Sequence, residues 1–266
     1  MNKLPVKVVT FSPTRTTYKV CQAIAEGINY DYQIIDLTLP KDRMGANLTF
    51  GNEIVILGMP VYVGRIPKFI VPFLKQLKGN QTPAIIVSVY GNRHYDDALI
   101  EMYDILKEQG FIPLAAAACV GEHSFNTDYS PIGVGRPNAQ DLDEANRFGQ
   151  EFTAKWERAK SLNNFRFKIP GESHIYREVH ISFGFTPDTI PGHEDQWAAC
   201  AKICPTAAMY IKNNNLETKA EKCIHCMACV KQFPELRYAA KESEIMKHAI
   251  ELSENFSIQR VNEFFL

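Results

Sequence analysis

The chain lacks a strong excess of charge of either sign, a disulfide framework and any long apolar run. Lys and Arg number 29 against 30 for Asp and Glu in 266 residues, so no basic field points to nucleic acid. Seven cysteines in a chain of this length do not form a disulfide scaffold and indicate a reducing compartment, so we expect a cytoplasmic protein. The apolar runs are too short to span a membrane, and the first residues read as a strand rather than a signal peptide.

Several catalytic and nucleotide-binding motifs are also absent. The sequence contains neither G-x-G-x-x-G nor G-K-[ST], which argues against a dinucleotide-binding fold and against an NTPase phosphate loop. We find no Ser–His–Asp set and no metal-hydrolase motif. The remaining distinctive features are the cysteines near the C-terminus and three polar or aromatic loops in the first half of the chain.

Five of the seven cysteines lie near the C-terminus in two runs. The second run reads C-x2-C-x2-C over 223–229, and the first ends with Cys204 and Pro205. Runs of the type C-x2-C-x2-C-x3-C-P bind two iron–sulfur clusters, and the fourth cysteine of each run ligates the other cluster. With that crossover, one complete ligand set remains, formed by Cys204, Cys223, Cys226 and Cys229.

The second ligand set on this template has been lost. It would consist of Glu194, Trp197, Cys200 and Phe233, three of which are not cysteine. Because every loss falls on one site, the sequence predicts a single 4Fe–4S cluster and leaves Cys200 as a free, partly buried thiol. Four thiolates also suit zinc, but zinc sites usually pair two C-x2-C units, so the spacing favours the cluster.

The first 160 residues alternate between strand-like and helix-like patterns. Short β-branched runs predict strands at 6–11, 32–37, 54–57, 84–89 and 113–120. Amphipathic patterns predict helices at 20–28, 66–77, 96–109 and 141–159. Strands that alternate with helices indicate βαβ units around a parallel sheet. Five strands in this order predict an α/β fold of the flavodoxin-like, doubly wound type, with the ligand beyond the carboxyl ends of the strands.

Three loops at that edge carry candidate binding residues. After the first strand come Ser12, Thr14, Arg15, Thr16 and Thr17. Hydroxyls and free amides at a helix N-terminus suit a phosphate, although Ser and Thr are also ordinary helix caps. The loops after the third and fourth strands offer aromatic residues and glycines that suit a flat ring, or else form tight turns with surface tyrosines. Their candidates are Pro60, Val61, Tyr62, Gly64, Tyr90, Gly91, Asn92 and Tyr95.

Several motifs together resemble those of a bacterial family of flavodoxin–ferredoxin fusion proteins. They are the cysteine runs, FSPT at 11–14, PVYVGR at 60–65, YGNR at 90–93, YDDAL at 95–99, GEHSF at 121–125, GRP at 135–137 and EFFL at 263–266. The resemblance implies a flavodoxin-like FMN domain at 1–160, a linker at 161–184 and a ferredoxin-like iron–sulfur domain at 185–266. The last would be a small α+β domain with a C-terminal helix. By the same likeness, the phosphate contacts are Ser12, Thr14, Thr16 and Thr17.

Arg15 departs from the family pattern, since the flavodoxin loop usually has glycine at this place. Its side chain either crowds the loop or closes over the FMN phosphate as a clamp. Arginine commonly makes charge-assisted contacts with phosphate. We favour the clamp because the neighbouring hydroxyls of Ser12, Thr14, Thr16 and Thr17 are all still in place.

These features predict a soluble electron-transfer protein, a carrier or oxidoreductase, that passes electrons between FMN and one 4Fe–4S cluster. The expected partner is a redox protein, and the composition indicates neither nucleic acid nor a membrane. Arg15 and the lost cluster suggest an alternative, a non-redox interaction or regulatory protein on a degenerate flavodoxin fold. A further alternative is a flavin-dependent reductase of a small molecule such as a quinone. Glu122 and His123 either have structural roles or handle a proton near the flavin.

Overall fold

The computed structural model describes residues 1–44, 47–178 and 185–266. Five parallel strands form most of a six-stranded sheet: β1 (Val6–Thr10), β2 (Tyr32–Asp36), β3 (Ile54–Pro60), β4 (Thr82–Tyr90) and β5 (Phe111–Val120). Their spatial order, β5-β4-β3-β1-β2, places β1 between β2 and β3, where the winding direction reverses. This is the doubly wound, flavodoxin-like arrangement, so the predicted fold class is confirmed.

Five helices flank the five strands along the chain. They are α1 (Thr16–Ile28), α2 (Pro40–Arg43), α3 (Val71–Leu74), α4 (Ala98–Glu108) and α5 (Ala139–Arg158). The predicted helix at 66–77 is wrong, because the structure has a 3-10 turn at Lys68–Ile70 followed only by the short α3. Pro67 and Pro72 lack the N–H groups that a continuous helix needs, which accounts for the interruption.

The core lies on both faces of the sheet. Every residue of β3 and β4 is buried, as expected for central parallel strands. On one face, α5 buries Phe148, Phe152 and Trp156, each contributing roughly 1.5–3 kcal/mol. Helices α1 and α5 touch at the backbone, because a Cβ on Gly27 would lie 1.9 Å from the carbonyl oxygen of Asn146. Glycine is therefore required there.

The segment after α5 packs on the sheet domain. Phe165 lies against the rings of Phe152 and Trp156. Further along, Asp104 of α4 accepts hydrogen bonds from Ser173 Oγ (2.6 Å), His174 N–H (2.8 Å) and Tyr176 OH (2.5 Å). The predicted linker at 161–184 is thus fastened to the first domain as far as residue 178, and residues 179–184 lie outside the described part of the chain.

The cysteine-rich region consists of short elements. They are β6 (Asp188–Thr189), α6 (Trp197–Lys202), β7 (Met209–Lys212), β8 (Asn215–Thr218), α7 (Ala228–Gln232), β9 (Arg237–Tyr238) and α8 (Glu244–Asn255). Two antiparallel ribbons form, β6 with β9 and β7 with β8. In the parts of the chain that the structure describes, we find no helix long and apolar enough to cross a bilayer.

The last residues return to the large sheet as a sixth strand. β10 (Glu263–Phe265) pairs antiparallel with the edge strand β5, with Glu263 opposite Ala118. No pattern in the sequence predicts this strand, and the predicted cysteine-rich domain includes the C-terminus. A three-residue strand shows no usable periodicity, and its partner lies about 145 positions earlier (263 minus 118).

Candidate functional site

The carboxyl ends of the parallel strands open onto one large cleft. Its volume is about 1410 Å³, and the loops after β1, β3, β4 and β5 form its floor. Ten of the thirteen predicted cofactor residues line it: Ser12, Thr14, Thr16, Thr17, Pro60, Val61, Tyr62, Gly64, Tyr90 and Gly91. The other three, Arg15, Asn92 and Tyr95, do not line the cleft.

The loop after β1 leads directly into α1. The N–H of Ser12 donates to Thr38 Oγ1 at 2.9 Å, and Ser12 Oγ accepts from the Tyr18 N–H at 3.1 Å. Arg15, the residue before α1, provides no side-chain cap. Thr17 Oγ1 is buried and has no hydrogen-bond partner among the described residues. The start of α1 therefore presents polar groups on the cleft that suit an anion.

Arg15 adopts a backbone conformation that explains the usual glycine. Its φ of 66° is left-handed, which costs a non-glycine residue roughly 1–2 kcal/mol. The guanidinium Nη1 lies 2.5 Å from Asp36 Oδ2, and the group stacks 3.6 Å above the ring of Tyr18. The structure therefore does not bring the predicted clamp to the cleft, because the charge is held at the end of β2.

The loop after β3 contains a tight turn that presents Tyr62. Its N–H donates to Arg65 O at 2.7 Å, and the Arg65 N–H donates back to Tyr62 O at 3.1 Å. Between them, Val63 and Gly64 both have positive φ, 57° and 82°. A β-branched residue rarely adopts this conformation, so its surroundings hold the turn. The Arg65 guanidinium makes two bonds, of 2.6 and 2.8 Å, to the buried carboxylate of Glu101.

The loop after β4 serves two different purposes. Tyr90 and Gly91 line the cleft, and Gly91 is so close to His123 that a Cβ would lie 2.2 Å from His123 Cδ2. Asn92 and Tyr95 instead hold the C-terminal segment, and Tyr95 OH donates to Glu263 Oε2 at 3.1 Å. Asn92 bonds to three backbone groups: the carbonyls of Phe256 (2.7 Å) and Ile258 (3.0 Å) and the N–H of Arg260 (2.9 Å). These two residues are anchors of the tail in this structure.

The loop after β5 brings Glu122 and His123 to the cleft. Burial, followed by the charges of Lys231 and His248, lowers the pKa of His123 to about 4, so its ring is neutral near pH 7. Its Nδ1 accepts the N–H of Phe125 at 3.1 Å. Burial raises the pKa of Glu122, but the contacts with Lys231 and the N–H of Gly135 together outweigh it, and the net shift is downward. Both residues thus have structural contacts.

The predicted cluster ligands share one small cavity. Cys204, Cys223, Cys226 and Cys229 all line it. Each sulfur accepts a hydrogen bond from a backbone N–H. For Cys204 the donor is Ala208, at 3.2 Å. The donors are His225 for Cys223, Ala228 for Cys226 and Val230 for Cys229. The crossover set is therefore brought together, although Cys204 lies 19 positions before Cys223 (223 minus 204).

The thiols in this cavity are poorly hydrated. Burial raises the pKa of Cys223 to about 11 and raises that of Cys226 and Cys229 above the ordinary value. The described residues contain no group of three or more His, Cys, Asp or Glu side chains arranged to hold a metal ion.

Three of the four positions of the lost ligand set lie in a small apolar core, and the fourth, Glu194, is exposed. Trp197 and Cys200 are buried together with Met209, Leu216 and Leu236, and Phe233 packs against them. Cys200 Sγ lies 4.0 Å from Met209 Sδ, and burial raises its pKa to about 12. Cys200 is fully buried, whereas the sequence predicted partial burial.

The cleft and the cysteine cavity are neighbours. Cys223, Ile224 and His225 line the cleft together with the strand loops. Burial raises the pKa of Tyr62 well above its ordinary value, and the nearby Cys226 and Cys223 raise it further. Contacts between the two regions include Arg43 Nη2 to Pro205 O (2.5 Å), Gln232 Nε2 to Pro13 O (3.2 Å) and the Lys231–Glu122 ion pair.

Sequence reasoning missed one wall of the cleft. His174, Tyr176 and Arg177 of the predicted linker line it, and no motif marks them. The guanidinium of Arg65 lies 4.4 Å from the ring of Tyr176. The one available signal was Asp104, an acid on the buried face of α4, because a buried carboxylate requires hydrogen-bond donors from another segment.

Comparison with known proteins finds no matching family model. An uncharacterized protein of Methanocaldococcus jannaschii is 25% identical over 139 residues, which covers 51% of this chain and 89% of that protein. A flavodoxin from the domain Archaea has a TM-score of 0.40 and 18% identity, covering 58% of this chain and 100% of its own. Rubredoxin oxygen:oxidoreductase of Desulfovibrio gigas has a TM-score of 0.41 and 14% identity, covering 57% of this chain and 36% of its own. The fold class itself rests on the strand order of the sheet.

Proposed function

We propose that the protein binds FMN in the cleft and one 4Fe–4S cluster on Cys204, Cys223, Cys226 and Cys229, and transfers electrons between them. One observation carries the proposal: the phosphate-type loop after β1 and the loop at 223–225 line the same cleft. Electron tunnelling slows steeply with distance, so two redox groups bound by residues of one cleft would be near enough to exchange electrons.

The residues of the cleft suit FMN. The start of α1 offers amide groups and the unpartnered hydroxyl of Thr17 to a phosphate. The side chain of Tyr62 lies on the cleft and offers aromatic surface to a flat ring system, whereas the ring of Tyr90 is buried against Tyr95. FMN is favoured over FAD, because the sequence has no dinucleotide motif.

The residues of the cysteine cavity suit an iron–sulfur cube. Four sulfurs supply the complete ligand set, and each also accepts a backbone N–H, the kind of contact that stabilises thiolates. Because burial raises the pKa of Cys223, Cys226 and Cys229, their thiolate forms need the positive charge of metal nearby. The combination of buried thiols and N–H donors supports a bound metal rather than free cysteines.

The cofactors supply the redox chemistry, since a flavin exchanges one or two electrons and a cluster exchanges one. The chain's own residues bind, orient and shield. Gly91 allows His123 to approach the cleft floor as a neutral ring, and Arg65 with Glu101 fixes the turn that presents Tyr62. The Lys231–Glu122 pair and the Gln232–Pro13 bond keep the cysteine region against the strand loops.

The size of the cleft favours a second candidate, a flavin-dependent reductase of a small molecule such as a quinone. The volume of about 1410 Å³ exceeds the usual range for ligand pockets, about 300–1,000 Å³, so space remains beside a flavin. Steady-state reduction of quinones by a chemical electron donor tests this candidate. Turnover would support the reductase, and the absence of turnover in protein loaded with both cofactors would support a carrier.

Cofactor analysis of protein prepared without air tests the main proposal. We expect about four irons and four sulfides per chain, together with FMN released on denaturation. Eight irons, or zinc in place of iron, would refute the cluster assignment. Release of FAD, or failure to bind added FMN, would refute the flavin assignment.

Thr17→Val tests the phosphate site directly. Loss of a hydrogen bond to a charged group costs roughly 1.5–3 kcal/mol, so FMN should bind about tenfold more weakly or worse. The matched control is Thr10→Val, which removes another buried hydroxyl, from β1 outside the cleft. Fluorescence titration should show nearly unchanged FMN affinity in the control, and equal losses in both variants would contradict the site.

A further inference from the structure

The most unusual charged group in the cysteine region is the guanidinium of Arg237. The residue opens β9 and is 2% exposed, which makes it the largest fully buried side chain in the described part of the chain. Nη1 donates to Thr189 Oγ1, and Nη2 donates to Thr218 Oγ1 at 2.8 Å. Nε is buried and has no hydrogen-bond partner among the described residues. Both threonine hydroxyls are uncharged.

The guanidinium of Arg237 has no carboxylate partner in the described part of the chain. Within the described residues, Arg237 takes part in no ion pair. An arginine side chain keeps its charge in a folded protein, and a buried charge without a counter-charge is strongly unfavourable. An anion at this place would compensate the charge, and no carboxylate of the described residues pairs with it.

Arg237 lies on the wall of the cysteine cavity. It lines that cavity together with Cys204, Cys223, Cys226 and Cys229, and its positive charge acts on the sulfur of Cys229. Protonated thiols would leave the guanidinium uncompensated. A cube held by four thiolates carries net negative charge in both of its oxidation states, so it supplies the missing anion.

We propose that Arg237 is the charge partner of the iron–sulfur cluster and makes the cluster easier to reduce. This inference rests on the cluster part of the proposed function. Reduction adds one electron to the cluster and neither forms nor breaks a covalent bond, so the cluster becomes more negative by one charge. A fixed cation in a poorly hydrated site stabilises that added charge more than a distant or solvated one. Charge, burial and hydrogen bonding to the ligands are known determinants of cluster potentials.

Two substitutions separate charge from packing. Arg237→Gln removes the charge and keeps a polar side chain, whereas Arg237→Lys keeps the charge and changes the geometry. The control is Lys222→Gln, which removes an exposed cation next to Cys223 whose field water and salt screen. Each protein is prepared without air, its iron and sulfide are measured, and its cluster is titrated with dithionite against redox mediators while the reduced form is followed by EPR.

We expect the Gln variant to be harder to reduce. At the potential where half of the wild-type cluster is reduced, the ratio of reduced to oxidised cluster should fall by about tenfold or more. The Lys variant and the Lys222 control should stay near wild type. An unchanged or higher potential in the Gln variant, with its iron retained, would overturn the inference while leaving the cluster itself in place.

Loss of the cluster during preparation is also informative. If Arg237→Gln loses iron while Arg237→Lys keeps it, the cation is needed to hold the anionic cluster, which supports the inference. Equal loss in both variants would show that shape rather than charge matters, and would overturn it. Wild-type protein without an iron–sulfur cluster would overturn the proposed cluster and this inference together, which distinguishes the two failures.

Discussion

The sheet domain and the cysteine-rich region are built on opposite principles. The first has buried strands of seven and nine residues at its centre and helices on both faces. The second has ribbons of two and four residues and a small apolar core around Trp197, Cys200 and Leu236. A large apolar core stabilises a fold without help, whereas small cores usually depend on disulfides or metals. We therefore expect the cysteine region to need its cofactor for folding, and the sheet domain to need none.

Cys204→Ala should have the largest effect and should separate the two regions. Removal of one ligand of the cluster should abolish iron binding, and the free energy of metal binding that stabilises the region would be lost with it. The measured content of iron and of sulfide should fall from about four of each per chain to near zero. Circular dichroism should still show a cooperative transition from the sheet domain.

Cys200→Ala is the matched control for that experiment. It removes another buried thiol of the same region, but one that packs in the apolar core rather than in the cysteine cavity. We expect full iron content and a loss of stability of about 1 kcal/mol, in line with a small core truncation. Loss of iron in Cys200→Ala with retention in Cys204→Ala would show that the crossover assignment is wrong.

Asn92→Gly tests whether this residue is an anchor of the tail rather than a cofactor contact. Glycine keeps the left-handed backbone at φ 60° and removes three hydrogen bonds to the segment 256–260. We expect a destabilisation of the sheet domain of about 3 kcal/mol in urea unfolding. FMN affinity should be nearly unchanged, and a large loss of affinity without a loss of stability would restore the original interpretation.

His123 should make stability depend on pH. Its folded pKa of about 4 lies below the unfolded value of about 6.5, so the unfolded chain binds more protons between these values. The neutral ring's contribution is therefore complete above about pH 6.5 and is lost as the pH falls toward 4. The free energy of unfolding of the wild type should be lower at pH 5 than at pH 7. This decrease should be larger than the decrease in His123→Gln by on the order of 1–2 kcal/mol. Equal pH dependence would contradict the assignment.

Arg15→Gly should have the smallest effect. Glycine relieves the left-handed strain of about 1–2 kcal/mol, while the half-exposed ion pair with Asp36 and the stacking on Tyr18 are lost. We expect stability within about 1 kcal/mol of the wild type and FMN affinity within about threefold. A tenfold weaker affinity for FMN would show that the guanidinium clamps the phosphate after all.

Local patterns in the chain were sufficient for much of the fold and of the site. The alternation of β-branched runs and amphipathic helices depends on neighbours a few positions apart, so it predicted the parallel strands and their winding order. The spacing of Cys223, Cys226 and Cys229, with Cys204 as the distant fourth member, is likewise readable in one dimension. The same holds for the hydroxyl-rich start of α1.

Tertiary structure alone decided which polar side chains line the cleft and which are bonded to other residues of the protein. Asn92 and Tyr95 form hydrogen bonds with a C-terminal segment more than 160 positions away, and Arg15 forms an ion pair with Asp36 at the end of β2. A hydrogen bond or ion pair forms with whatever partner the fold brings near, and no local pattern records that partner. For the same reason, the buried charge of Arg237 beside the cysteines becomes visible only when β9 is placed against their cavity.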